Sequence, residues 1–222
     1  MKTDTINLAV ITGGKPYDVI GFSNLFHNFD GIQSYIQHVD DFASATQATR
    51  DSYDAILFYF MMLEGPTDEG LPAYCGKPQA ALEHLTQTQQ GMVVLHHSLL
   101  AYPQWPLWNE IVGISNRTLS NYKHDEQIQI HVVDTNHPIT KGLSDWMILD
   151  ETYEMPSATG DSYPLLTTAH PQSMRTIAWV HQYNHNKIFC FQLGHDQQAW
   201  QDENFQIVLR RGIEWSCTRK KE

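Results

Sequence analysis

The chain has 222 residues, 41% of them apolar, and a formal net charge of −11. The length and apolar content support a substantial core and argue against disorder, while the charge argues against a phosphate-backbone partner, so nucleic acid is not expected. No apolar run approaches the ~20 residues of a membrane helix, and the scattered Cys75, Cys190 and Cys217 match neither a disulfide framework nor a zinc-finger spacing.

The N-terminus leads into a strand without a secretory hydrophobic segment, so a cytoplasmic location and no membrane partner are expected. Residues 8–11 predict a buried first strand, closed by Thr12-Gly13-Gly14-Lys15. Glycines at that edge let a ligand approach the backbone, but the spacing is not that of a phosphate-binding loop. A helix is expected from Asp18, its N-cap, with Ile20, Leu25 and Phe26 inward. Residues 34–39 and 53–60 predict strands, 78–90 a helix and 91–95 a fourth strand. That alternation implies a parallel sheet with helices on both faces. Further on, 127–133, 165–168, 176–180 and 188–193 predict short strands added antiparallel. A last helix over 203–216 carries Phe205, Val208, Leu209 and Ile213 as one stripe, with Asp202 as N-cap. No repeat or linker divides the chain, so residues 1–222 are read as one domain.

The fourth strand stops abruptly at His96-His97-Ser98, and residues 188–193 run into Gly194-His195-Asp196. Strands of one open α/β sheet present such residues at the carboxyl edge, where ligands bind, so His96 and His195 could meet there. Asp196 could orient His195, although sequence neighbours often point apart. Asp150-Glu151 could bring a carboxylate to the imidazoles or form a solvated acidic turn, the blander reading. Trp200 reads as core or as a wall for a sugar. Ser98 lacks the Gly-x-Ser-x-Gly setting of hydrolases. Cys190 reads as inert core, Cys217 sits where a helix dipole disfavours a thiolate, and Cys75 lies in a loop away from the elbow.

The stretches 91–98, 105–113, His137-Pro138-Ile139-Thr140-Lys141-Gly142-Leu143, Asp150-Glu151-Thr152-Tyr153, 187–196 with Trp200, and 209–215 carry a family pattern in order and spacing. The chain resembles the ThuA-like (trehalose utilisation) family, within the class I glutamine amidotransferase-like superfamily. The resemblance implies a flavodoxin-like three-layer α/β sandwich, mainly parallel, with antiparallel additions in the second half. Amidotransferases of this fold place a cysteine at the elbow and pair it with a late histidine. Here His96 and His195 hold those places, and thioester chemistry is not expected because imidazole cannot replace the thiolate. Two departures stand out: Tyr17-Asp18 replaces the family's His-Asp pair after the first strand, and His97 replaces a small residue after the elbow histidine.

The implied function is carbohydrate metabolism, by hydrolysis, isomerisation or elimination on a sugar or an oxidised (keto) sugar or disaccharide such as a trehalose derivative. His96, His195 and Glu151 are the expected catalytic residues. They would serve as an acid–base set or as ligands of a divalent metal, zinc or similar. Gly13, Asp18, His97, Asp150, Tyr153, Asp196 and Trp200 are the expected substrate contacts. A small sugar is the expected partner, and a homo-oligomer stays open. The rivals are a non-catalytic sugar- or metabolite-binding module and a structural subunit docking through Trp105 and Trp108.

Overall fold

The computed structural model describes residues 5–72, 75–158 and 160–217. The elements run β1 (Ile6–Gly13), α1 (Val19–His27), β2 (Ile32–His38), α2 (Val39–Ser44), α3 (Gln47–Arg50), β3 (Ala55–Phe60), α4 (Pro78–Leu85) and β4 (Gly91–Leu95). A 3-10 turn (His96–Leu100) leads to α5 (Pro106–Val112), β5 (Asn121–Val132), β6 (Trp146–Glu154), β7 (Tyr163–Thr167), β8 (Thr176–Tyr183), β9 (Asn186–Phe191), α6 (Gln197–Trp200) and α7 (Glu203–Ser216).

Among the described residues these strands form one nine-stranded sheet ordered β2-β1-β3-β4-β9-β8-β7-β5-β6. The β2-β1-β3-β4-β9 part is parallel, and β8, β7, β5 and β6 are added antiparallel. The central parallel strands β3 and β4 are apolar and buried throughout because both faces are covered, whereas the edge strand β2 alternates apolar and polar residues. In β4, Val93 and Leu95 point to the side of α1 and α7, whereas Met92 and Val94 point to the side of α2, α4 and α5. Period-two alternation of one strand thus feeds two cores and makes the three-layer sandwich. The flavodoxin-like expectation stands.

Several boundaries differ for local reasons. Ile20 is not inward: it is 75% exposed, because the Asp18 cap sets the helix phase so that Phe22, Leu25 and Phe26 form the buried stripe. Helix α4 stops at Leu85, short of Gln90. The Thr86 and Thr88 hydroxyls donate back to the Glu83 and Leu85 carbonyls, and the Asn186 amide donates to the carbonyls of Leu85, Thr88 and Gln90. These side-chain bonds replace the next helical turn. Strand β5 begins at Asn121 rather than 127, with a register shift between Lys123 and Glu126. No described helix is long and apolar enough to cross a membrane. Trp108 is fully buried, so it is not a docking residue.

Candidate functional site

The elbow is built from β4 outward. Five buried apolar or glycine positions carry the chain to the sheet edge, and His96 then takes φ 52°, the left-handed region. That conformation costs a side chain ~1–2 kcal/mol and turns the imidazole out of the strand line. Ser98 holds the turn in place: its Oγ accepts from Phe60 N at 2.7 Å and donates to Phe60 O at 2.9 Å. The buried Arg117 adds a cradle, its guanidinium donating to the carbonyls of Leu99, Ala101 and Tyr102. Ser98 therefore works as a clamp on β3, and no nucleophile role is needed to explain it.

Asp150 and Glu151 are not a solvated turn. They sit inside β6, 4% and 2% exposed, where the β5–β6 hairpin reaches across the carboxyl ends of β4 and β9. Gln192 Nε2 donates to Glu151 O at 2.8 Å. The Asp150 carboxylate accepts from three backbone N–H groups, Gly194 at 2.6 Å, His195 at 3.0 Å and Glu151 at 2.7 Å. Burial pushes its carboxyl upward, opposed by the charge of His96 and by those three donors. The two neighbouring acids thus divide the work: Asp150 anchors the Gly194–His195 backbone, and Glu151 projects to the imidazoles.

His96 Nδ1 lies 2.7 Å from the Gln192 carbonyl. A carbonyl only accepts, so Nδ1 carries hydrogen and Nε2 presents its lone pair. Nε2 is 2.9 Å from Glu151 Oε2 and 3.3 Å from His195 Nδ1, and His195 Nδ1 is 3.1 Å from the same Oε2. The Tyr153 hydroxyl, 2.9 Å from His96 Nε2, adds a donor, with its ring stacked on the imidazole. The three donor atoms form a nearly equilateral triangle. Oε2 is buried and accepts no aligned hydrogen bond although two ring nitrogens are near, so the contacts are close without being directed. Tetrahedral ligation at ~2.0–2.1 Å separates donor atoms by ~3.3 Å, so this N,N,O set fits a divalent ion. Among the described residues it is also the one His/Cys/Asp/Glu group spaced to hold a metal.

Burial alone would raise the Glu151 carboxyl, but the contacts and charge of His195 and His96 outweigh it and hold the group well below the usual carboxylate range. Glu151 in turn raises His195, against burial and the charge of Lys15.

Glu151 and His195 line a cleft of about 510 Å³, with the fully buried His96 behind them, and the cleft also presents Lys15, Tyr122, His124, Tyr153, Met61, Leu100 and Leu119. His124 was not foreseen from sequence. Its Nδ1 is 3.2 Å from the other carboxylate oxygen, Glu151 Oε1, and its ring lies 4.5 Å from that of His195. It sits in the outer half of β5, beside Asp125 at φ 57°.

The remaining expected contacts are placed elsewhere. Asp18 caps α1 through Ile20 N and Gly21 N and accepts from Gln197, beside a separate groove between α1 and α6. Asp196 caps α6 through Gln198 N, so its carboxylate is not the partner of His195. Trp200 is core: 3% exposed, it donates to Gly194 O and packs on Phe22. Gly13 ends β1 at φ 144°, where a Cβ would lie 2.7 Å from His38 Nε2, and it does not line the cleft.

His97 is buried behind the elbow against Tyr59 rather than in the cleft. Burial, with the charges of His96 and Lys15, lowers its pKa from 6.5 to about 2. The unfolded chain therefore binds a proton at His97 that the folded chain refuses. The associated stability is present above the unfolded pKa and is lost as pH falls from 6.5 towards 2. The expected slope is about 1.4 kcal/mol per pH unit from this one group. Urea unfolding of wild type and His97→Gln between pH 7 and pH 4 checks it. The variant should lose stability less steeply, and parallel curves would contradict the assignment.

A largely parallel α/β sheet with a histidine at the elbow and a His–Glu–His cluster over its carboxyl edge defines the class of protein. The family model described as ThuA, trehalose utilisation, matches residues 30–216, and the chain belongs to that family. A ThuA-like protein from Parabacteroides merdae is similar in structure, with TM-score 0.72 and 19% identity over 98% of this chain and 93% of that one. The cytoplasmic protein STM3548 of Salmonella typhimurium superposes with TM-score 0.67 and 13% identity, over 95% and 99% of the two chains. PurLQS of Thermotoga maritima gives TM-score 0.60 and 11% identity, over 95% and 99%. At these identities the likeness concerns the fold. No curated protein matches the chain in sequence.

Proposed function

We propose that the protein is a cytoplasmic enzyme of carbohydrate metabolism that acts on a keto sugar or keto disaccharide, such as a trehalose derivative, with His96, Glu151 and His195 holding a divalent metal, zinc or similar. The observation that carries this reading is the triangle of donor atoms around a buried carboxylate oxygen with no directed hydrogen bond. Such an ion supplies Lewis-acid polarisation of a sugar oxygen. The chain's own groups do the rest. The Gln192 carbonyl fixes the His96 tautomer, and Asp150 fixes the backbone of His195. Tyr153 stacks its ring on the His96 imidazole and keeps its hydroxyl at the floor of the cleft. His124, with its side chain 48% exposed, is placed to carry a proton between a bound sugar and solvent. The family name and the printed description of STM3548 support the sugar and the compartment.

A metal-free acid–base version is favoured by one contact, the raised His195 beside Glu151 at 3.1 Å. There His195 is the base, Glu151 orients it and His96 meets developing charge. Both versions are tested by turnover and binding of keto derivatives of glucose and trehalose, with wild type and His96→Ala. Loss of turnover by about a hundredfold or more with binding retained is the expected result. Binding without turnover in the wild type would replace the enzyme with a sugar-binding module.

A further inference from the structure

Lys15 has no role in the site described so far. The turn that presents it is fixed: Gly13 and Gly14 take φ 144° and 73°, a Cβ on Gly14 would lie 2.4 Å from Met61 O, and Met61 N donates to Gly13 O. This places Lys15, half-buried, at the mouth of the cleft, where it is the only Lys or Arg in the lining. Among the described residues no carboxylate lies within ion-pair distance of its ammonium. The one acid in the lining, Glu151, is surrounded by three imidazoles.

A partly desolvated cation without a counter-ion is an arrangement that a bound anion relieves. Phosphate sites usually combine a lysine with an arginine fork or several backbone N–H groups, whereas Lys15 is the lone cation of this lining, which favours the smaller charge of a carboxylate. The lining also holds Met61, Leu100, Leu119 and Tyr122, which is 53% exposed, offering apolar and aromatic surface to the C–H face of a sugar ring. A cavity of about 510 Å³ has room for a sugar of one or two rings.

We propose that this cleft selects sugar acids, with the substrate carboxylate paired to Lys15 Nζ and its ring against Tyr122. The inference rests on the sugar-derivative reading and narrows it to anionic members of that class. Calorimetric titration of the purified protein with D-gluconate, D-glucuronate, D-glucose and D-glucose 6-phosphate tests it, in wild type, Lys15→Gln and Lys15→Arg. A sugar acid should bind wild type about tenfold or more tighter than glucose, lose that advantage in Lys15→Gln and keep most of it in Lys15→Arg. Unchanged melting temperature in both variants identifies the effect as recognition. Equal binding of glucose and the acids, or a preference that survives Lys15→Gln, overturns the proposal while the sugar reading stands. Preference for glucose 6-phosphate overturns the carboxylate assignment. Failure of every sugar to bind overturns this proposal and the sugar reading together.

Discussion

Glu151→Gln is expected to lower divalent-metal affinity by at least about a hundredfold while leaving the fold intact. The substitution keeps the shape of the side chain and removes the only negative charge among the three converging donors. The two remaining imidazoles cannot balance a divalent ion, and the amide presents a weaker oxygen or an N–H in its place. Glu151 is only 2% exposed, so solvent screens the missing charge poorly and the loss is larger. His124→Ala is the control. His124 touches Oε1 rather than Oε2, so stoichiometric metal should remain. Competition with a chromophoric zinc chelator measures both. Chelator should also lower the melting temperature of wild type, since an ion bound only by the folded state stabilises it, and should leave that of Glu151→Gln unmoved.

The second large effect concerns Asp150. Asp150→Ala leaves the N–H groups of Glu151, Gly194 and His195 buried without their acceptor. Each unmet buried donor costs about 1–3 kcal/mol, so a combined loss of ~3–9 kcal/mol is expected. For a chain of this size that is a fall in Tm of ~10 °C or more. Metal affinity should fall as well, because the backbone that carries His195 loses its anchor. Asp196→Ala is the contrast: a half-buried N-cap of a four-residue helix, worth ~1 kcal/mol, with no consequence for the metal. Thermal melts and metal titration of both variants separate an anchoring carboxylate from an ordinary cap. Similar behaviour of the two would contradict the role given to Asp150.

The parts of the molecule legible from sequence are those whose burial is two-sided or strictly periodic. The apolar 91–95 run, the Gly194–His195 strand end and the α7 stripe behind its Asp202 cap all have that property. They place His96 and His195 at one sheet edge, as the strand-end argument anticipated. The outer half of β5 is polar on both faces and carries a bulge near Asp125. Counting by twos back from Ile128 therefore breaks before it reaches His124. Asp150-Glu151 looked solvated because buried acids are rare. Their burial depends on backbone donors and imidazoles up to 55 positions away in the chain, which no local pattern announces. Ile20 was misplaced because a cap, rather than composition, sets the phase of α1. Lys15 was visible as the residue after two glycines. Only the fold shows that it enters a cleft without a counter-ion.

The most direct experiment is elemental analysis of untagged wild type purified without chelators, alongside His195→Ala. One zinc-like ion per folded chain in the first and none in the second is the predicted outcome. A wild type that is metal-free, fully stable and indifferent to added zinc would show that the three donors converge on a proton rather than on an ion.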